Sequence, residues 1–152
     1  MADALILGWQ EWVALPALGL PAIKAKIDTG ARTSALHATN IETFTENGVA
    51  YVRFAVRPIL AQKGLEITAT APVVDHRDVT SSNGDTEKRY VISTPLAVGG
   101  RTWPIEITLT GNRETLTYRM LIGRQALQDN VLVDPSKSFA QPRLSRKLYG
   151  KR

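Results

Sequence analysis

The feature that most constrains what this chain can fold into is a period of two. In "WPIEITLT", Trp103, Ile105, Ile107 and Leu109 alternate with Pro104, Glu106, Thr108 and Thr110, the pattern of a strand with one face in a core and the other in water. "AYVRFAV" sets Val52, Phe54 and Val56 against Tyr51 and Arg53, and "RYVISTPLAV" supplies Tyr90, Ile92, Leu96 and Val98. Such β-branched and aromatic runs suit a pleated surface. Turn signals separate them: "ENG" at 46–48, "SSNGD" at 81–85, "GG" at 99–100 and "TGN" at 110–112. A Gly-Gly pair between two alternating runs predicts a tight hairpin. Only "GRQALQDN", 123–130, has helical character. The expectation is one all-β, antiparallel domain over residues 1–140, a small closed or semi-closed barrel with one short helix near its carboxyl end, followed by a basic tail over 141–152.

A chain of 152 residues buries a sizeable core without covalent staples. Cysteine is absent, which excludes disulfides, thiolate metal sites and a cysteine nucleophile and fits a reducing compartment, so a cytoplasmic location is expected. Asp3 and Glu11 interrupt the apolar run of "MADALILGWQEWVAL", and no basic leader precedes it; neither a signal peptide nor a membrane span is expected. The net charge of +5 comes from Arg143, Arg146, Lys147, Lys151 and Arg152 in the acid-free tail. With the body neutral, a solvated tail is expected rather than a nucleic-acid site.

The chemistry-bearing stretch is "KIDTGARTSALHA", residues 26–38, where Asp28-Thr29-Gly30 ends the apolar run "PAIKAKI". An Asp followed two residues later by Gly serves any turn. A second segment, "RMLIGRQAL" at 119–127, is an apolar run ending in Gly-Arg and entering the short helix. Together, in this order and at this separation, the two resemble the retropepsin-like aspartic proteases, and the "DTGARTS" form is closer to cellular members than to viral ones. More narrowly, "EWVALPALGLPAIKAKIDTGARTSALHA" and "RMLIGRQAL" with "VLVDPSKS" resemble the bacterial family labelled ATP-dependent zinc proteases, associated with an ATP-grasp ligase that adds glutamates to a ribosomal protein.

The resemblance implies a retropepsin-like acid-protease barrel and a peptide or protein substrate. It makes Asp28 the catalytic carboxylate, with Thr29 bonding across a dimer axis, Gly30 allowing close approach and Ala31 lining the cleft. Carboxylate-catalysed hydrolysis needs two acids close enough to share a proton, and no other Asp here precedes Thr-Gly or Ser-Gly after an apolar run. A homodimer with a two-fold axis between two Asp28 residues supplies the second. The flap candidate is "VTSSNGDTEKRYV", 79–91, with Asn83-Gly84 at its tip; an ordinary surface hairpin would read the same way.

Where viral retropepsins carry an acid after "DTGA" that pairs with the arginine of the Gly-Arg segment, this chain has Arg32, so Arg124 needs another partner. Arg32 either pairs with an internal acid such as Glu42 or Glu106 or, with Arg124, contacts an acidic, glutamate-rich substrate. The zinc label finds no HExxH. His37 and His76 could meet only through folding, with Asp75 and Asp78 as carboxylate ligands. No GxxxxGK[ST] loop is present, so ATP use would belong to a partner, and no cofactor is expected. Two alternatives stand beside the peptidase: a catalytically silent peptide-binding or scaffold domain of the same fold, and the zinc-dependent peptidase of the label.

Overall fold

The computed structural model describes residues 3–62, 64–80, 84–111, 118–127 and 130–150. Eleven strands are present among them: β1 (Leu5–Leu7), β2 (Gln10–Leu15), β3 (Leu20–Asp28), β4 (Ser34–His37), β5 (Thr39–Glu46), β6 (Val49–Val56), β7 (Ile67–Thr80), β8 (Thr86–Val98), β9 (Arg101–Thr110), β10 (Met120–Gly123) and β11 (Val131–Val133). The main sheet runs β2-β3-β10-β4-β9-β8-β7-β6-β5, and a further pairing of Ala14 with Ala97 joins β2 to β8. The six strands β2, β3, β10, β4, β9 and β8 thereby close into a barrel. β7, β6 and β5 continue outward from β8, and β1 pairs separately with β11.

The apolar faces read from the sequence are buried at most of their positions, with Tyr90 and Trp103 only partly so. Val52, Phe54 and Val56 are buried, as are Ile92, Leu96, Val98, Ile105, Ile107 and Leu109. Both short turns are two-residue hairpins: Glu46 pairs with Val49 around Asn47-Gly48, and Val98 pairs with Arg101 around Gly99-Gly100. All four turn residues have positive φ, between 53° and 80°, the backbone that Asn and Gly tolerate best and that matches the twist of the flanking strands.

Four expectations are corrected. The sheet is mixed rather than antiparallel: β3 with β10, β4 with β9, and β1 with β11 are parallel pairs. Residue period reports which faces are buried and is silent about strand direction, which is set by partners far apart in the chain. β4 and β10 lie in the middle of the sheet and are buried along their whole length. Their neighbour β9 is accordingly covered on both faces at its end, where Thr108 and Thr110, expected in solvent, are buried. The helix expected over 123–130 is a single 3-10 turn, Arg124–Ala126, in the described part of that segment. The tail is docked rather than frayed through residue 150, with its basic side chains Arg143, Arg146 and Lys147 exposed. Gln141 Nε2 donates to Ile6 O at 2.7 Å, Arg143 lies over the Trp12 ring at 6.0 Å, Leu144 packs on the core, and Tyr149 is buried with its hydroxyl donating to Ala22 O at 2.5 Å.

Candidate active site

The barrel brings the two motifs together as neighbouring strands. β10 runs parallel to β3 with Ile122 opposite Ile27 and Gly123 opposite Asp28, so the aspartate and the Gly-Arg step reach the same end of the sheet. Beyond Asp28 the chain turns back on the aspartate's own carboxylate. Asp28 Oδ1 accepts from Gly30 N at 3.0 Å and Ala31 N at 3.2 Å. Both described bonds fall on Oδ1, which leaves Oδ2 for a second group. Thr29 and Gly30 are exposed and Asp28 is half-buried.

The loop is clamped from the β10 side. Arg124 N donates to Ala31 O at 2.7 Å and Gln125 N to Arg32 O at 3.0 Å. Gly123 N donates to Ser34 Oγ at 3.0 Å. A Cβ at Gly123 would lie 2.4 Å from Thr33 O, closer than atoms can sit, so the loop can cross there only over a glycine. Arg124 finds its partner in the loop itself, donating from Nη1 to Thr29 O at 3.1 Å. It does not line the cavity beside the loop, and through this bond it holds the loop that carries Asp28.

A cavity of about 750 Å³ opens beside this loop. Asp28, Gly30, Ala31 and Arg32 form one wall, and Arg77, Asp78, Val79, Thr80 and Arg89 of the β7–β8 arm face them. The arm therefore lies across the cleft from the Asp28 loop, where a flap belongs. Of the expected tip, Gly84 is exposed with φ +90° and does not line the cavity; Asn83 lies outside the described residues.

The internal partners expected for Arg32 are engaged elsewhere. Glu42 sits 3.8 Å from Arg53 across the β5–β6 ladder, and Glu106 is 3.3 Å from Arg77. Arg32 is exposed, lines the cavity and makes no ion pair among the described residues. Arg77 also holds Asp75 at 2.9 Å. The main-chain N–H of His76, with that guanidinium, keeps the Asp75 carboxyl below its ordinary value. Sequence reasoning missed Gly123, Ser34, Arg77, Arg89 and Thr108. Only Gly123 carried a signal, as the glycine of the quoted Gly-Arg step; polar residues on a strand look alike whether they face a cleft or bulk water.

The histidines do not converge. His37 is buried on β4, and His76 stacks on Tyr90 at 4.1 Å on the arm, with β9 and β8 between their strands. Among the described residues no group of three or more His, Asp or Glu side chains could hold a metal ion, so the donor set for a zinc site is not assembled there.

Known proteins agree with this geometry. A Shewanella pealeana protein named "Probable alpha-L-glutamate ligase" is 50% identical over 137 residues, covering 90% of this chain and 30% of the relative. A Desulfotalea psychrophila protein of the same name is 42% identical over 146 residues, covering 96% of this chain and 31% of the relative. This chain thus spans less than a third of the length of those relatives. A crystal structure of a Legionella pneumophila protein with unknown function (DUF785) superposes with a TM-score of 0.75 at 31% identity, covering 90% of this chain and 97% of that one. The RimB-like family model, described as "Retropepsin-like aspartic endopeptidase RimB", matches residues 6–144, and the chain belongs to that family.

Proposed function

We propose that this chain is an aspartic endopeptidase that works as a homodimer on acidic, glutamate-rich peptides. The observation that carries the reading is the Asp28 loop: a carboxylate at a strand end, oriented through Oδ1 by two main-chain N–H groups and set in a cleft walled by arginines. Each copy supplies one Asp28. One carboxylate takes a proton from water as its oxygen attacks the peptide carbonyl carbon, while the other, protonated, donates to the carbonyl oxygen. Collapse of the tetrahedral intermediate then breaks the C–N bond as the amine gains a proton. Two facing carboxylates share one proton because both cannot stay ionised at close range.

The substrate class is supported by Arg32, which lines the cleft with no acidic partner among the described residues, and by the relatives' names. In those proteins a domain like this one is joined to a longer chain named as a glutamate ligase. A hydrolase coupled to such a ligase has glutamyl peptides at hand.

The test is hydrolysis of polyglutamate and of neutral peptides over a range of enzyme concentrations. Asp28→Asn lowers the rate by at least about a thousandfold. Excess Asp28→Asn added to wild type also silences it, by drawing wild-type chains into mixed dimers. Asp78 lines the same cavity, so Asp78→Asn is the control: retention of activity within about tenfold places the second carboxylate in the partner copy, and loss equal to that of Asp28→Asn overturns the dimeric mechanism. Hydrolysis that survives Asp28→Asn and stops with a chelator establishes the zinc alternative, and peptide binding without hydrolysis establishes the scaffold.

A further inference from the structure

The cleft holds an arginine to which the retropepsin motifs give no role. Arg89, on β8, is only 9% exposed, and arginine is seldom buried unless its charge and its donors are met. Its Nε donates to Glu87 Oε1 at 2.6 Å and its Nη1 to Thr108 Oγ1 at 3.2 Å. The Thr108 hydroxyl donates onward to Ser34 O at 2.9 Å, and Ser34 Oγ in turn receives Gly123 N at 3.0 Å. Arg89 is thereby fixed from two sides and tied through β9 and β4 to the strand that clamps the Asp28 loop. A guanidinium carries five N–H donors; two are used among the described residues and three are left. Those three lie on Nη1 and Nη2, the end of the fork that can meet both oxygens of a carboxylate. The side chain forms part of the wall of the Asp28 cavity.

We propose that Arg89 is the specificity-determining residue of the cleft, the anchor for a carboxylate side chain of the substrate; this rests on reading the Asp28 cavity as the substrate site. The other two arginines of the cavity are less suited. Arg77 is committed to two carboxylates, Asp75 and Glu106, whereas Arg89 pairs among the described residues with one, Glu87, and through Nε alone. Arg32 is exposed and must be ordered when a ligand arrives. It supplies attraction at a distance, whereas Arg89 presents donors whose direction is set before binding, and preorganisation of that kind gives affinity and selectivity together.

The experiment separates this inference from the peptidase reading by measuring binding where hydrolysis is blocked. Calorimetry is run with an N-acetylated tetraglutamate and a tetraglutamine peptide on Asp28→Asn and on Asp28→Asn with Arg89→Lys. Lysine keeps the charge and loses the fork. Expected is a loss of about tenfold to a hundredfold in tetraglutamate affinity on Arg89→Lys, with the weaker tetraglutamine binding unchanged and the melting temperature within a few degrees. Arg89→Gln repeats the measurement without the charge and should lose more. Equal losses for both peptides, no loss for either, or no tetraglutamate binding by Asp28→Asn overturns the proposal. Wild-type hydrolysis is assayed alongside. Tetraglutamate held through Arg89 but never cleaved keeps the anchor and ends the peptidase; polyglutamate cleaved with an unchanged KM in Arg89→Lys does the reverse.

Discussion

Glu11 is the residue whose environment departs most from its type. It is 0% exposed, and its carboxylate receives three main-chain N–H groups: Gly8 at 2.7 Å, Ala140 at 2.8 Å and Gln141 at 3.1 Å. A carboxylate can accept at four sites and has no donor to misplace, which suits it to gather the ends of two segments about 130 residues apart in sequence. Replacement by alanine orphans three main-chain donors, one buried and two part-buried. With roughly 1–3 kcal/mol per unsatisfied group and partial relaxation, Glu11→Ala should cost about 3 kcal/mol, read as a lowered midpoint in denaturant melts. Gly123 makes the opposite case, a residue needed for what it lacks. Gly123→Ala must push the 31–33 loop away, and the expected outcome is a loss of peptidase activity that greatly exceeds any loss of helical or sheet signal in circular dichroism.

Among the elements, the β7–β8 arm and the docked tail behave differently. The arm's outer half is mostly exposed and is held to the barrel by polar contacts, Arg77 with Glu106 and Arg89 with Thr108. The tail is held by a buried tyrosine. Burial pushes the Tyr149 hydroxyl up to about 12 from its ordinary 10.0, and only the protonated hydroxyl can donate to Ala22 O. The folded state therefore keeps this proton where the unfolded chain gives it up. Tyr149 contributes fully below about pH 10, and its contribution is lost as pH rises from there toward 12. Tyr149→Phe should lower the melting temperature at neutral pH by leaving Ala22 O without its donor. The gap between variant and wild type should narrow steadily above pH 10, checked by paired melts from pH 8 to 11.5; a constant gap would contradict the assignment.

For the molecule as a whole, the charge that matters is local. The +5 of the full chain is weighted to the carboxyl terminus, where Arg143 is already engaged with Trp12; the cleft has its own arginines. Attraction of an acidic peptide into that cleft is screened over about 8–10 Å at moderate salt. Raising ionic strength from 20 to 300 mM is therefore expected to raise KM for polyglutamate severalfold and to leave a neutral peptide's KM within about twofold, in initial-rate assays. No helix among the described residues is long and apolar enough to cross a membrane.

Sequence alone determined the long alternating strands, most of their buried residues, the Gly-Gly hairpin and, through two paired segments, the candidacy of Asp28, because each of these is written locally: alternation in six to ten residues, Gly-Gly between runs, short motifs in a row. Tertiary structure alone decided that the 20–28 and 120–123 segments run side by side in parallel, that Arg124 bonds to the Asp28 loop, that Glu106 belongs to Arg77, and that Arg89 lines the cleft. A strand's period is the same whichever neighbour it takes and in whichever direction. Which polar residue ends up buried is settled only when chain separated by 19 to 130 positions closes over it.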